Sequence, residues 1–535
     1  MSSGFLLYKV CDAISREISE ERNNIKNIYP LMIKLSMHIP RTMSTQHPDN
    51  VRSPFFATNS VLGDEDEVKE AFYAFSHLKI KEQLWDFEGK EVDSSVVRKL
   101  LSGYETFFRS KQLGKDVFLT YRVPNPDVEK NEGKILLETL ESIPRSFDLA
   151  RTFYEKDGAP LDIAPIFEVA VPMVTHAKAV SRIAMYYKKF VAGKGNQIID
   201  EQTNKTVASW IGEFFPKSLR VIPLLEDKES LLNADKIVEE FVKEQKIEDH
   251  QRVWLARSDP ALNYGSAATV LIEKIALQRL HHLSEKISVP LFPILGCGSA
   301  PFRGNFKPTN VEANMKAYPS VQTFTLQSAF KYDYEEGVVQ NAVQKIEETK
   351  TKKPLVVDEE KLLLIIEKLA HAYQQQMTLL APIINDFSIH IPKRRKRKLH
   401  IGLFGYARKH TSHEQEHIHL PRAIPFCASL YSLGLPPELL GLHVLTQKDI
   451  EVMAHAYPSF EQDFKDAAQL LNEDNLSVFP NEIIKQIKAA SELFPFEIKR
   501  EHQKITSIIL KEWKTKNPVL TENIERAGWV RGFLG

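Results

Sequence analysis

The feature that most narrows the fold of this 535-residue chain is a rhythm that sets in near residue 116. Short apolar, β-branched stretches alternate with stretches whose apolar residues recur at helical spacing. The strand candidates are 116–123, 163–170, 219–225, 252–257, 289–295, 321–326 and 399–404. Between them, Val180, Ile183, Ala184 and Tyr187 mark one buried helical face. Ala268, Leu271, Ile272 and Ile275 mark a second, and Ile366, Leu369, Ala370 and Tyr373 a third. Near-continuous apolar strands separated by helices form βα units around a parallel sheet covered on both faces. With a strand leading into His47 the count is about eight, the number that closes a (β/α)8 barrel of TIM type. An open doubly wound sheet is the alternative, but no glycine-rich dinucleotide turn follows any early strand.

Three regions follow from this reading. Residues 1–38, with Ile14, Ile18 and Ile25 loosely helix-spaced, form an N-terminal helical extension. Residues 39–435 form the barrel. Its insertions fall at 192–208, which is polar and Gly/Asn-rich, and at 341–360, which is dense in Lys and Glu. Residues 436–535 are helical, with Ile483, Ile487, Ala490 and Phe494 on one face, and pack on the barrel.

Lys+Arg and Asp+Glu are equal at 70 each, so no global charge draws the chain to nucleic acid or membrane. Cys11, Cys297 and Cys427 form neither a disulfide framework nor a metal-ligand spacing, which fits a reducing compartment. There is no secretory signal and no apolar run of membrane-spanning length. A cytoplasmic location is expected.

Barrel enzymes carry their chemistry where strands end. Here the ends read Tyr121-Arg122 with Asn125, Phe167-Glu168, Leu225-Glu226-Asp227, Arg257-Ser258-Asp259, a loop over 296–304 and Gly405 to Arg408. A carboxylate inside an apolar strand, such as Glu168, costs several kcal/mol to bury unpaired and so needs a cation. Read alone, that cation is either a structural arginine or lysine or a metal. Glu168 and Asp259 are hard oxygen donors on different strand ends, a donor set that suits Mg²⁺. The 296–304 loop holds Gly296, Gly298, Arg303 and Gly304, and its glycines let main-chain N–H groups approach an anion. Arg408 and Arg422 lie fourteen residues apart, and the planar fork of arginine suits a phosphate ester. Arg122 joins them as a substrate-binding candidate by position.

The stretch 39–50 is polar and aperiodic, with His47 between Gln46 and Pro48 and with Arg41, Asp49 and Asn50 close by. The proline stiffens the backbone there, and a rigidly aimed histidine suits general acid–base work. A turn histidine bonded to Asp49 is an equal reading of that stretch alone. The basic run 393–398 is read as a solvated loop before the last strand, whose field favours anionic substrates. No stacking aromatics are interleaved with it, as nucleic-acid binding would require. The histidines at 410, 413, 417 and 419 are read as part of a loop over the mouth rather than a metal site. The stretch 528–535 is expected to fold back toward that mouth.

Taken together, the His47 stretch, Phe-Glu-Val-Ala at 167–170, Arg-Ser-Asp-Pro at 257–260, the Arg303-Gly304 loop and the two later arginines resemble archaeal-type phosphoenolpyruvate carboxylases. The resemblance spans nearly the whole chain and is densest over 39–442. It implies carboxylation of phosphoenolpyruvate with bicarbonate to oxaloacetate and phosphate, through carboxyphosphate and a metal-stabilised enolate. It further implies His47 and Arg303 as catalytic residues, Arg408 and Arg422 with Gly304 at the substrate, and Glu168 and Asp259 as ligands of Mg²⁺ or Mn²⁺. A homotetramer without nucleic-acid or membrane partners is also implied. One departure stands out: larger bacterial and plant relatives carry a second arginine where this chain has Cys297. The rival readings are a metal-dependent lyase or aldolase of a related barrel, and an RNA-binding protein acting through 393–398.

Overall fold

The computed structural model describes residues 39–63, 65–88, 93–155, 163–396 and 418–535. The sequence expectations for 1–38, the strand 399–404, Arg408 and the histidines at 410, 413 and 417 lie outside them.

Pro40–Gly535 is one compact unit built on a closed, all-parallel barrel. Its strands are β1 (Thr42–Ser44), β2 (Glu82–Asp86), β3 (Phe118–Arg122), β4 (Glu168–Val171), β7 (Arg220–Leu225), β8 (Gln251–Leu255), β9 (Leu291–Leu295) and β10 (Thr323–Leu326). Two more, β5 (Ile198–Asp200) and β6 (Lys205–Thr206), make a separate antiparallel hairpin. The barrel closes where β1 pairs with β10 on one side and with β2 on the other.

The (β/α)8 architecture expected from the rhythm is therefore present, with one exchange of strands. β2 takes the place given to 399–404, and the barrel is complete before residue 327. The run Glu-Gln-Leu-Trp-Asp is buried at every position but carries three polar residues, so it lacks the apolar signature of its neighbours. The supposed insertion at 341–360 is corrected too. Its first part belongs to the helix Glu336–Glu348, which follows β10 and buries Val339, Ala342, Val343 and Ile346. The insertion at 192–208 is the hairpin.

Strand alternation sorts the side chains into two sets. Trp85, Tyr121, Val169, Val221, Val253 and Leu295 face outward into the main core beneath the helices. Met43, Leu84, Ala170, Ile222, Leu224, Trp254, Ala256 and Ile294 face inward and form a separate apolar cluster across the barrel's middle. Below this layer, at the N-terminal ends of the strands, Arg252 grips Glu82 with both guanidinium nitrogens, at 2.8 and 2.7 Å. It reaches Glu168 at 2.9 Å. Thr120 donates to Glu82, and Thr323 accepts from Arg252. Above the layer lie the strand ends and the loops that leave them.

Candidate active site

Most barrel strands deliver polar groups to the C-terminal mouth, and local sequence decides which. In Leu84-Trp85-Asp86-Phe87-Glu88 the alternation sends Leu84 inward and Trp85 and Phe87 outward, so Asp86 and Glu88 rise into the mouth. Arg122 ends β3 level with Asp86 and meets it bidentately, at 2.8 and 2.7 Å, with Glu88 at 3.0 Å. After β7, two acids in a row part company. Asp227 caps the next helix through the backbone N–H of Ser230 at 2.9 Å. Glu226 continues the inward series of Ile222 and Leu224 and accepts the backbone N–H of Met173 at 2.8 Å. Burial, followed by the charge of Asp259 opposite, pushes the Glu226 carboxyl far above its usual range, against the pull of Arg122. Glu226 and Asp259 thus stand close enough at one mouth for the charge of the second to act on the first.

The other side of the mouth is organised around Arg303, whose side chain is 1% exposed. Its guanidinium donates to Ser258 Oγ at 3.0 Å, Asp49 Oδ2 at 3.2 Å and the Gly535 carbonyl at 2.9 Å, and also to Gln327. The loop that presents it needs its glycines. Gly304 sits at φ +124°, and a Cβ there would stand 2.8 Å from that of Cys297. A Cβ on Gly298 would strike the Arg303 guanidinium at 2.9 Å. Cys297 itself turns away, with its thiol against the carbonyls of Leu295 and Thr325. It therefore offers nothing in place of an arginine. Arg257 does not supply one either, because it is committed to Glu273 and Tyr318.

His47 is half-buried on the chain leaving β1, its Nδ1 2.9 Å from Thr45 Oγ1. It sits in a turn, as one reading of the sequence has it, with the Asp49 N–H donating to the His47 carbonyl at 3.1 Å. Asp49 is fully buried and spends its oxygens on Arg303 and on the backbone N–H groups of Ser299 and Ala329. Asp49 thereby ties the His47 stretch to the Arg303 loop and to the exit of β10. Lys331 braces the same stretch by donating to Ser44 Oγ and the Thr45 carbonyl. The stretch 528–535 closes over it: Leu534 N–H donates to the Asp49 carbonyl at 2.7 Å, and Arg52 lies over the Trp529 ring.

Glu168 is the expected site residue that the structure sets elsewhere. Strand β4 begins at Glu168 rather than ending there, so the side chain lies below the apolar layer, bound to Arg252. Arg422 occupies the N-cap position of the helix Ala423–Ser432 without a side-chain cap bond, and Phe426 of that helix packs on Phe302 beside Arg303. The basic run is not a solvated loop at its start. Arg395 is buried and bonded to Glu67 and Glu70, and Arg394 is bonded to Glu525.

A family profile described as phosphoenolpyruvate carboxylase matches residues 39–535. The chain belongs to the phosphoenolpyruvate carboxylase family. The phosphoenolpyruvate carboxylase of Methanospirillum hungatei is 47% identical over 500 residues, covering 93% of this chain and 100% of that one. That of Methanothermobacter thermautotrophicus is 47% identical over 93% of this chain and 100% of its own. That of Pyrococcus furiosus is 50% identical over 81% of this chain and 89% of its own. Membership in the phosphoenolpyruvate carboxylase family makes this an enzyme that carboxylates phosphoenolpyruvate to oxaloacetate, with a divalent metal.

Proposed function

We propose that Glu226 and Asp259, not Glu168, hold the metal. What supports this is position: Glu226 and Asp259 follow the C-terminal ends of β7 and β8 at one mouth, close enough for the Asp259 charge to raise the Glu226 carboxyl, whereas Glu168 lies below the apolar layer on Arg252. Among the described residues no three His, Cys, Asp or Glu side chains converge as a ready-made cage. An ion held by two carboxylates fills its shell with substrate oxygens and water, the habit of Mg²⁺ and, by the same oxygen preference, Mn²⁺. When bound it supplies Lewis-acid stabilisation of enolate charge.

The chain's own groups do the rest. Arg303, with Arg422 and Arg408, neutralises the phosphoryl and carboxyl groups while bicarbonate attacks phosphorus, giving carboxyphosphate and the enolate of pyruvate. Arg122 orients the acidic side of the mouth, and Gly304 lets the loop backbone approach the substrate. His47 then takes the carboxyphosphate proton. Phosphate leaves, CO₂ is set free beside the enolate, and the new carbon–carbon bond closes by proximity. With Nδ1 held 2.9 Å from Thr45 Oγ1, the nitrogen left for the base is Nε2.

We place the reaction in barrel 39–435, buttressed by 436–535, in a cytoplasmic homotetramer without nucleic acid. Two buried free thiols support a reducing compartment, and Arg394 and Arg395 already spend their charge on carboxylates. No described helix is long and apolar enough to cross a membrane. The deciding experiment is oxaloacetate formation from phosphoenolpyruvate and bicarbonate, with Mg²⁺ or Mn²⁺ and after chelation. Turnover unaffected by chelation removes the metal role of Glu226 and Asp259.

A further inference from the structure

Of the sixteen large apolar side chains that stand exposed among the described residues, six fall between 185 and 211. Met185, Phe190, Ile198, Ile199, Trp210 and Ile211 are 39–64% exposed. They belong to one arm, inserted between the helix Ala177–Tyr186 and strand β7. The arm is built, not loose. A π-helical turn (Tyr187–Val191) and a 3₁₀ turn (Ala192–Asn196) lead into the β5–β6 hairpin. Thr206 then caps the short helix Val207–Ile211 by accepting the Ser209 N–H in a capping box. That helix packs back on Gly195, where a Cβ would stand 3.2 Å from the Ala208 Cβ. Fixed backbone therefore presents fixed apolar side chains to water. Ile198 and Ile199 are neighbours on a strand and point to opposite faces, yet both are exposed. A two-stranded hairpin is marginal alone in water, and one that is apolar on both faces needs a cover.

We infer that this arm is an interface between copies of the chain, and that the cover is the same arm of a second copy across a two-fold axis. At about 200 Å² per fully exposed large side chain, the six leave roughly 600 Å² in water along one arm, the upper end of what monomers expose in their largest patch. Two such arms wrapped together so that both hairpin faces are covered remove up to roughly 1,200 Å², the lower bound of specific, stable interfaces. The rim suits a copy of itself. It carries both signs, Lys188, Lys189, Lys194 and Lys205 with Asp200, Glu201 and Glu213, whereas a rim of one sign would repel its twin. Short antiparallel strands of identical sequence also pair naturally about a two-fold. The arm lies in a helix-to-strand connection, at the barrel end opposite the mouth, so assembly through it leaves the mouth open.

The inference does not depend on the chemistry assigned to the mouth, and it gives the proposed homo-oligomer a surface. The test is the solution mass of the full chain, by light scattering or sedimentation, over a wide concentration range. Trp210→Ser combined with Ile211→Ser should halve the wild-type mass, while thermal unfolding and turnover per subunit stay as in the wild type. Ile199→Lys should do the same by placing like charges face to face, on a strand whose side chains support no core. A double variant with the wild-type mass overturns the arm as the interface and leaves the oligomer standing. A wild-type chain that is monomeric throughout overturns both.

Discussion

The two ends of the barrel carry similar residues and put them to opposite use. At the N-terminal end Glu82 and Glu168 share one guanidinium, bidentate to the first, with threonine hydroxyls completing the set. At the mouth Asp86, Glu88 and Glu226 gather around Arg122 with Asp259 near Glu226, and burial and repulsion drive one carboxyl far from its usual range. An apolar layer separates the two. The lower cluster is sealed, with Glu82, Glu168 and Arg252 all buried beneath the layer, whereas Glu226 and Asp259 in the upper one are only half-buried and open to the mouth. A carboxylate in a strand is thus informative only once its level in the barrel is known.

Four experiments break or sharpen that contrast, taken from the largest expected effect. His47→Asn should cut oxaloacetate formation by ~100-fold or more, the usual scale for a lost general base. Because Arg303, Glu226 and Asp259 remain, phosphate and pyruvate should still appear in a bicarbonate-dependent way. Oxaloacetate at the wild-type rate would remove His47 from the mechanism.

Next comes a paired exchange across the apolar layer. Glu226→Gln should raise the metal concentration needed for half-maximal activity by about tenfold or more, since one anionic ligand is gone. Glu168→Gln should leave that requirement alone and lower stability by about 3 kcal/mol, as breaking a buried ion pair does. Metal titration and denaturant unfolding of both variants decide it. A metal requirement that moves with Glu168 would exchange the roles of the two ends.

A smaller effect concerns the packing behind the Arg303 loop. Burial pushes the Glu438 carboxyl up to about 7, although the hydroxyl of Tyr431 pulls it the other way. The folded chain therefore keeps this proton between the ordinary carboxyl range and about pH 7, where the unfolded chain has released it. The stability it contributes is present at low pH and lost as pH rises through that window, by up to about 3 kcal/mol at about 1.4 per pKa unit. Unfolding midpoints near pH 5 and near pH 8 should differ less in Glu438→Gln than in the wild type. Equal differences would refute the account.

The smallest effect belongs to Thr45→Val, which removes the oxygen at His47 Nδ1 and leaves the ring without that anchor. A several-fold fall in turnover with little change in apparent phosphoenolpyruvate affinity is expected, restored by Thr45→Ser. An unchanged rate would mean that the ring is set by other contacts.

The barrel was legible because seven of its strands, counting the lead into His47, follow the expected alternation. β2 was not, since its interior positions are Glu82 and Asp86 and only Leu84 reads as core. Glu168 was misplaced by one register decision. The apolar run over 163–170 looks like a whole strand, but pairing begins at Glu168 and the exit is Val171-Pro172. That shift sends a carboxylate from one end of the barrel to the other. Glu226 was visible in Leu-Leu-Glu-Asp, and the signal that singles it out is the helix-capping Asp227 behind it. The buried pairing of Arg395 left no local trace, because its partners lie more than 300 residues earlier in the chain.

The apolar layer of Met43, Leu84, Ala170, Ile222, Leu224, Trp254 and Ile294 also gives the mouth a floor. In the proposed reaction, CO₂ set free at the strand ends has that floor beneath it and the enolate beside it.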